Sequence, residues 1–107
     1  MSNKDLNPVR DAFQEFPNAM YALAKRTIFG AGKHAPRDWK TKDINWHMAK
    51  IGRHLLDMEL EGDIDKESGD PHYLMLAWNA MAVLEHYLVK EKAQQVAEPK
   101  GVPIKID

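Results

Sequence analysis

The chain has 107 residues, a formal net charge of -1 and no cysteine. The missing cysteine excludes disulfides, thiolate zinc sites and thiol catalysis, and fits a reducing, cytoplasmic setting. With 15 basic and 16 acidic residues mixed along most of its length, the chain lacks the basic excess that duplex nucleic acid selects.

A chain of this length predicts one domain, burying roughly two-thirds of its unfolded surface. No apolar run approaches a membrane span. Met1–Asp5 is polar with no apolar stretch after it, so no signal peptide is expected. Residues 1–16 are polar with isolated Leu6, Val9 and Phe13, and read as an N-terminal arm with at most one helical turn. Pro17 suits a first helical turn. Met20, Leu23, Ala24, Thr27 and Ile28 then repeat at helical spacing up to Gly30, the expected stop. A loop over 30–41 carries Lys33, His34, Arg37, Trp39 and Lys40.

The next helix is the clearest. Ile44, Met48, Ile51, Leu55 and Met58 form an apolar seam, with Thr41 or Asp43 as cap and Gly62 as terminator. A second stripe, His47, Lys50, His54, Asp57 and Glu61, is turned from it by about 60° and borders the core. Asp70 and Pro71 open the last helix as N-cap and first residue. Its seam is Leu74, Ala77, Met81, Leu84 and Leu88, and its neighbouring stripe is His72, Met75, Asn79, Ala82 and His86. It is expected to fray near Lys92, leaving residues 93–107, with Pro99, Gly101 and Pro103, as a C-terminal tail. The fold class is all-α: a small helical bundle on an antiparallel hairpin over 17–92, with a flexible arm and tail, and both apolar seams are expected to be buried. Antiparallel pairing sets Glu61 opposite His72 and His54 near Asn79, so the polar stripes face each other across a shallow cleft.

The chemistry concentrates between Arg53-His54 and His72. The segment from Glu61 to Asp70 holds Glu61, Asp63, Asp65, Glu67 and Asp70. Neighbouring carboxylates raise the cost of ionising one another. Magnesium or manganese removes that cost, and oxygen-rich sites suit such ions. The alternation of carboxylates resembles a calcium loop, but the spacing argues against one, because the glycine at position six and the glutamate at position twelve are missing. Each residue also has a structural reading. His54 is a ligand, base or nucleotide contact, or a histidine satisfied at a core border. Asp57 and Glu61 share a metal, or pair with Lys50 and Arg53 along the helix surface. Asn79 reads a base edge or bridges two helices. His47 and His86 are read as structural. The absence of a phosphate-binding glycine loop or nucleophile elbow leaves kinase, Rossmann and serine-hydrolase readings without support.

Phe29-Gly30-Ala31-Gly32-Lys33-His34, Trp39, Ala49, Arg53-His54, Gly62-Asp63-Ile64-Asp65-Lys66-Glu67-Ser68-Gly69, His72 and Asn79, taken in order, resemble the N-terminal domain family of phage-type dATP/dGTP diphosphohydrolases. The resemblance spans roughly residues 17–90, and the glycine-flanked acidic segment is its specific part. It extends distantly to the MazG-like all-α pyrophosphohydrolases, which hold magnesium between acidic helices and build their pockets in oligomers. The chain departs from that wider group in offering His72 and Asn79, not carboxylates, on its last helix, and His34 stands where the family tends to have tyrosine.

The resemblance implies metal-dependent hydrolysis of a purine deoxynucleoside triphosphate to the monophosphate by a phage-encoded homo-oligomer. Asp57, Glu61, Asp63 and Asp65 are then the metal ligands. His54, His72 and Asp65 carry the chemistry. Lys33, His34, Trp39, Lys50, Arg53 and Asn79 hold the nucleotide. Two other readings stay open: a nucleotide-binding protein without turnover that sequesters a host signalling nucleotide, and a small protein-interaction module.

Overall fold

The structure, a computed structural model, describes residues 7–33 and 37–97. It divides into two compact units, Met1–Pro36 and Arg37–Asp107. In the first, α1 (Pro8–Glu15) packs on α2 (Pro17–Lys33). A complete helix thus stands where the sequence suggested an arm with one turn. Its start signal is local: Pro8 takes the first position, and Asn7 Oδ1 accepts the amide of Arg10 at 3.0 Å. α2 runs through Gly30, the expected stop, to Lys33. A glycine inside a helix costs only about 1 kcal/mol, which neighbouring turns can offset.

The second unit opens with a 3-10 helix, Asp38–Thr41, entered through Arg37 in the left-handed region (φ 62°). Then come α3 (Ile44–Glu61) and α4 (His72–Ala97), packed as a hairpin. Asp43 is the cap of α3, its Oδ1 accepting the Trp46 amide at 2.8 Å. Gly62 terminates α3 at φ 91°, where a side chain would be strained. α4 starts at His72, one residue later than expected, because Pro71 is bridged to Ile64 across the connecting loop. It continues past Lys92, and the tail beyond residue 97 lies outside the described residues. Among the described residues no helix is long and apolar enough to cross a membrane.

The inward faces differ from the expectation. Buried are His47 on α3 and His72, Met75, Asn79 and Ala82 on α4. The expected apolar seams are not the core: Ile44, Ile51, Met58, Leu74 and Leu88 are half-buried, and Met48, Leu55, Ala77, Met81 and Leu84 are exposed. The inward lines instead follow a seven-residue step, His47, His54, Glu61 on α3 and His72, Asn79, His86 on α4. This is the spacing by which two helices keep one seam in register. Polar layers alternate with Met75 and Ala82. The polar line is tolerated because its members bond one another: no buried side-chain nitrogen or oxygen among the described residues lacks a partner. The pairing is also shifted by roughly one turn from the expected one. His54 meets His72, and Asn79 meets His47.

Candidate functional site

The C-terminal end of α3, the loop and the first turn of α4 build one cluster. Heptad spacing sets His54 and Glu61 on the inward line of α3, and His72 enters between them, fully buried. His72 Nε2 donates to Glu61 Oε1 at 2.7 Å. The carboxylate only accepts, so that nitrogen holds the proton, and Nδ1 of a neutral ring is left to accept. His54 Nδ1 lies 2.9 Å from it and supplies the proton. This orders a row, His54 to His72 to Glu61, and leaves the lone pair on His54 Nε2.

The loop brings Asp65 to the same place. Its amide donates to Asp70 O at 2.8 Å, the Gly69 amide returns to Asp65 O at 2.7 Å, and the His72 amide closes on Asp63 O at 2.7 Å. Gly69 has φ 78°, which allows the tight return. Ser68 Oγ donates to Asp65 Oδ2 at 2.8 Å, and the Glu67 amide to Oδ1 at 3.2 Å. Ser68 was missed in the sequence; a serine three residues after an aspartate is the turn signal that points to it. Glu61, Asp65 and His72 each turn a ligand atom to a common point, all within 4.8 Å of one another.

The other expected site residues are placed differently. Asp57 is half-buried and Asp63 exposed, and neither joins that group. The Asp63 carboxylate instead accepts from Tyr73 at 3.5 Å. Arg53 is exposed. Lys50 Nζ lies over the Trp46 ring, 4.7 Å from its centroid. Asn79 is buried, its amide donating to Met75 O at 2.8 Å and its oxygen facing His47 Nδ1 at 3.2 Å. Trp39 packs against His47, Trp78 and His86. From His47 to Glu61 α3 rises roughly 20 Å, so within one chain Trp39 and the acidic cluster lie at opposite ends of the hairpin. Lys33 ends α2, and His34 lies outside the described residues.

Burial lowers the pKa of His54, and His72 adds to this, although the Asp65 and Asp57 carboxylates oppose it. The ring is therefore kept neutral, as a base must be. Burial alone would raise the Asp65 carboxyl, but the bonds from Ser68 and the Glu67 amide outweigh it and the net shift is downward. Both groups bind protons less readily folded than unfolded, so folding stability falls on acidification. For His54 the loss begins as pH drops through 6.5, the ordinary value, and is complete below its lowered one. Metal-free protein is thus expected to melt progressively earlier below pH 6.5, and His54→Asn to show a shallower decline in the same scan.

The cluster fits a hard divalent ion: two carboxylates and one imidazole, held on rigid elements. Comparison with the curated proteins and with the solved structures finds no match. The sequence model of one family, dATP/dGTP diphosphohydrolase, N-terminal, matches residues 3–96. With nearly the whole chain covered, the protein belongs to this N-terminal domain family of the dATP/dGTP diphosphohydrolases.

Proposed function

We propose that the protein is a metal-dependent hydrolase that converts a purine deoxynucleoside triphosphate to its monophosphate. The observation that carries this is the convergence of Glu61, Asp65 and His72, with His54 bonded behind them. The family description supports the substrate class. Magnesium or manganese is the cation, and the imidazole favours manganese over magnesium. When bound, such an ion polarises a phosphate and lowers the pKa of a water. Asp65, pre-set as the anion by Ser68, and Glu61 would hold it, and His72 would add its Nε2 once the proton now shared with Glu61 has left to solvent. His54 Nε2, neutral and open, accepts a proton from the attacking water, while its Nδ1–H keeps the ring aimed through His72. Arg53 and Lys50 supply positive charge along α3 toward phosphate oxygens, and Asp57 and Asp63 strengthen the negative field at the ion. Phage origin, a cytoplasmic setting and a homo-oligomeric state belong to the same reading. The exposed apolar seams support the last of these.

Phosphorus NMR of a nucleotide panel with magnesium or manganese tests the reading. The expected result is a purine deoxynucleoside monophosphate plus pyrophosphate, lost in Asp65→Asn. Binding without turnover in every arm overturns catalysis and leaves a nucleotide-sequestering protein. No binding in any arm overturns both.

A further inference from the structure

The end of the hairpin remote from the acidic cluster is basic and rich in indole rings. Residues 37–53 carry Arg37, Lys40, Lys42, Lys50 and Arg53 against Asp38 and Asp43. Asp43 is occupied in capping α3, its Oδ1 accepting the Trp46 amide. The chain's three tryptophans gather here around the buried His47. Ring centroids lie 6.2 Å away for Trp39, 5.0 Å for Trp46 and 6.3 Å for Trp78. Two of these rings lie under lysine. Lys40 Nζ is 5.9 Å from the Trp39 centroid, and Lys42 and Lys50 are 5.6 and 4.7 Å from that of Trp46. Trp46 is the most exposed of the three, at 39%. Trp46, Lys50 and Arg53 step by four and three, so they follow one face of α3. Beside Trp39 opens a cavity of about 530 Å³, lined by Trp39, Lys40, Glu85, His86 and Val89.

The metal centre does not need these groups. A nucleotide whose phosphates sit on the acidic cluster does not span the roughly 20 Å of α3 that leads to the indoles. Lysines on indoles select a ligand with repeated negative charge and flat apolar faces. A lone anion leaves the rings unused. A lipid surface calls for apolar side chains standing clear of the cations, and here the cations lie on the rings. A duplex hides its base faces. An unpaired strand offers both parts, phosphates in series and bases that stack.

We propose that this end of the hairpin binds single-stranded nucleic acid, about two or three nucleotides at a time. One base stacks on Trp46, and Lys42 and Lys50 leave the ring for the flanking phosphates. A second base enters the cavity against Trp39 and His86. There Glu85 accepts from its exocyclic amino group, and Lys40 meets its phosphate. Past Arg53 the carboxylates from Asp57 onward repel the strand and confine it to this end. The inference goes beyond the metal-dependent reading and stands without it.

Fluorescence anisotropy of a short labelled DNA strand with the full chain tests this, in chelator so that the acidic cluster holds no ion. Binding is expected at low salt, with quenching of tryptophan fluorescence. Affinity is expected to fall roughly tenfold between about 50 and 200 mM salt, as about three phosphate contacts require. Trp46→Ala is expected to weaken binding roughly fivefold or more. Should that variant melt early, Lys40→Glu combined with Lys42→Glu decides, because it leaves the indoles in place. It is expected to weaken binding roughly tenfold or more and to flatten the salt dependence. Oligodeoxycytidylate is expected to bind more tightly than oligodeoxythymidylate, and equal affinity overturns the role given to Glu85. No binding at low salt, a duplex bound as tightly as the single strand, or wild-type affinity in the double lysine variant overturns the inference. Capture by anionic vesicles without binding of the strand assigns the surface to a membrane and overturns it too. Displacement of the strand by an equimolar mononucleotide does the same in favour of a nucleotide.

Discussion

His72→Ala is expected to abolish manganese binding and to lower hydrolysis by roughly 10²–10⁴-fold, the range for losing a group that positions proton transfer. The buried ring touches both halves of the site: Glu61 through Nε2 and His54 through Nδ1. Its loss leaves His54 without an orienting acceptor and removes a ligand atom from the cluster. Melting temperature falls too, because two half-buried bonds go, each group left unpaired costing about 1–3 kcal/mol at most. His54→Ala separates the effects. That ring is only half-buried, so activity is expected to drop by a similar factor with a smaller change in melting. Thermal melts run beside calorimetry and the hydrolysis assay check both variants. A His54→Ala protein that melts early yet hydrolyses normally would return this histidine to a purely structural role.

The largest loss of stability is expected from His47→Ala, at the other end of the hairpin. His47 is fully buried, pairs with Asn79 on α4 and with the Trp39 carbonyl at 3.2 Å each, and is ringed by Trp39, Trp46, Trp78 and His86. Removing it opens a cavity and takes from the buried Asn79 oxygen the ring nitrogen that it faces, while the Trp39 carbonyl keeps the Lys42 amide. About 3 kcal/mol is the expected cost. For a unit of this size that lowers the melting temperature by roughly 10–20 °C. Manganese affinity measured well below the melting range should be unchanged, because the ring does not touch the acidic cluster.

These two histidines mark what the sequence made legible. The capping signals were local and therefore readable: Asp43 before α3, Gly62 after it, and the short acidic connection that forces a hairpin. Glu61 opposite His72 followed from that geometry, and the pair is formed. Which stripe faces inward was not readable, because hydrophobicity ranks Ile, Leu and Met ahead of His and Asn. That ranking ignores the partners a polar side chain finds only after the helices meet. On α4 the same ranking points the seam Leu74, Ala77, Met81, Leu84 and Leu88 inward, and the stripe of His72, Met75, Asn79 and Ala82 is buried in its place. The distance between Trp39 and Glu61 was legible once α3 was recognised, because a helix over Ile44–Glu61 rises roughly 20 Å from His47 to Glu61 whatever it packs on. The turn that fixes Asp65 through Ser68 was visible in principle, but it competes with many serines that do nothing of the kind.

The closed loop between α3 and α4 has an entropic consequence. Fixing one residue of backbone costs about 1–2 kcal/mol. In many acidic loops that cost falls due when the ion arrives, and it is subtracted from affinity. Here the backbone bonds among Asp63, Asp65, Gly69, Asp70 and His72 fix the segment during folding itself. A divalent cation arriving there would find its donors already gathered, so nearly all of its attraction would survive as binding. By mass action such an ion would then hold the folded state against the unfolded one, and occupancy and fold would become one equilibrium.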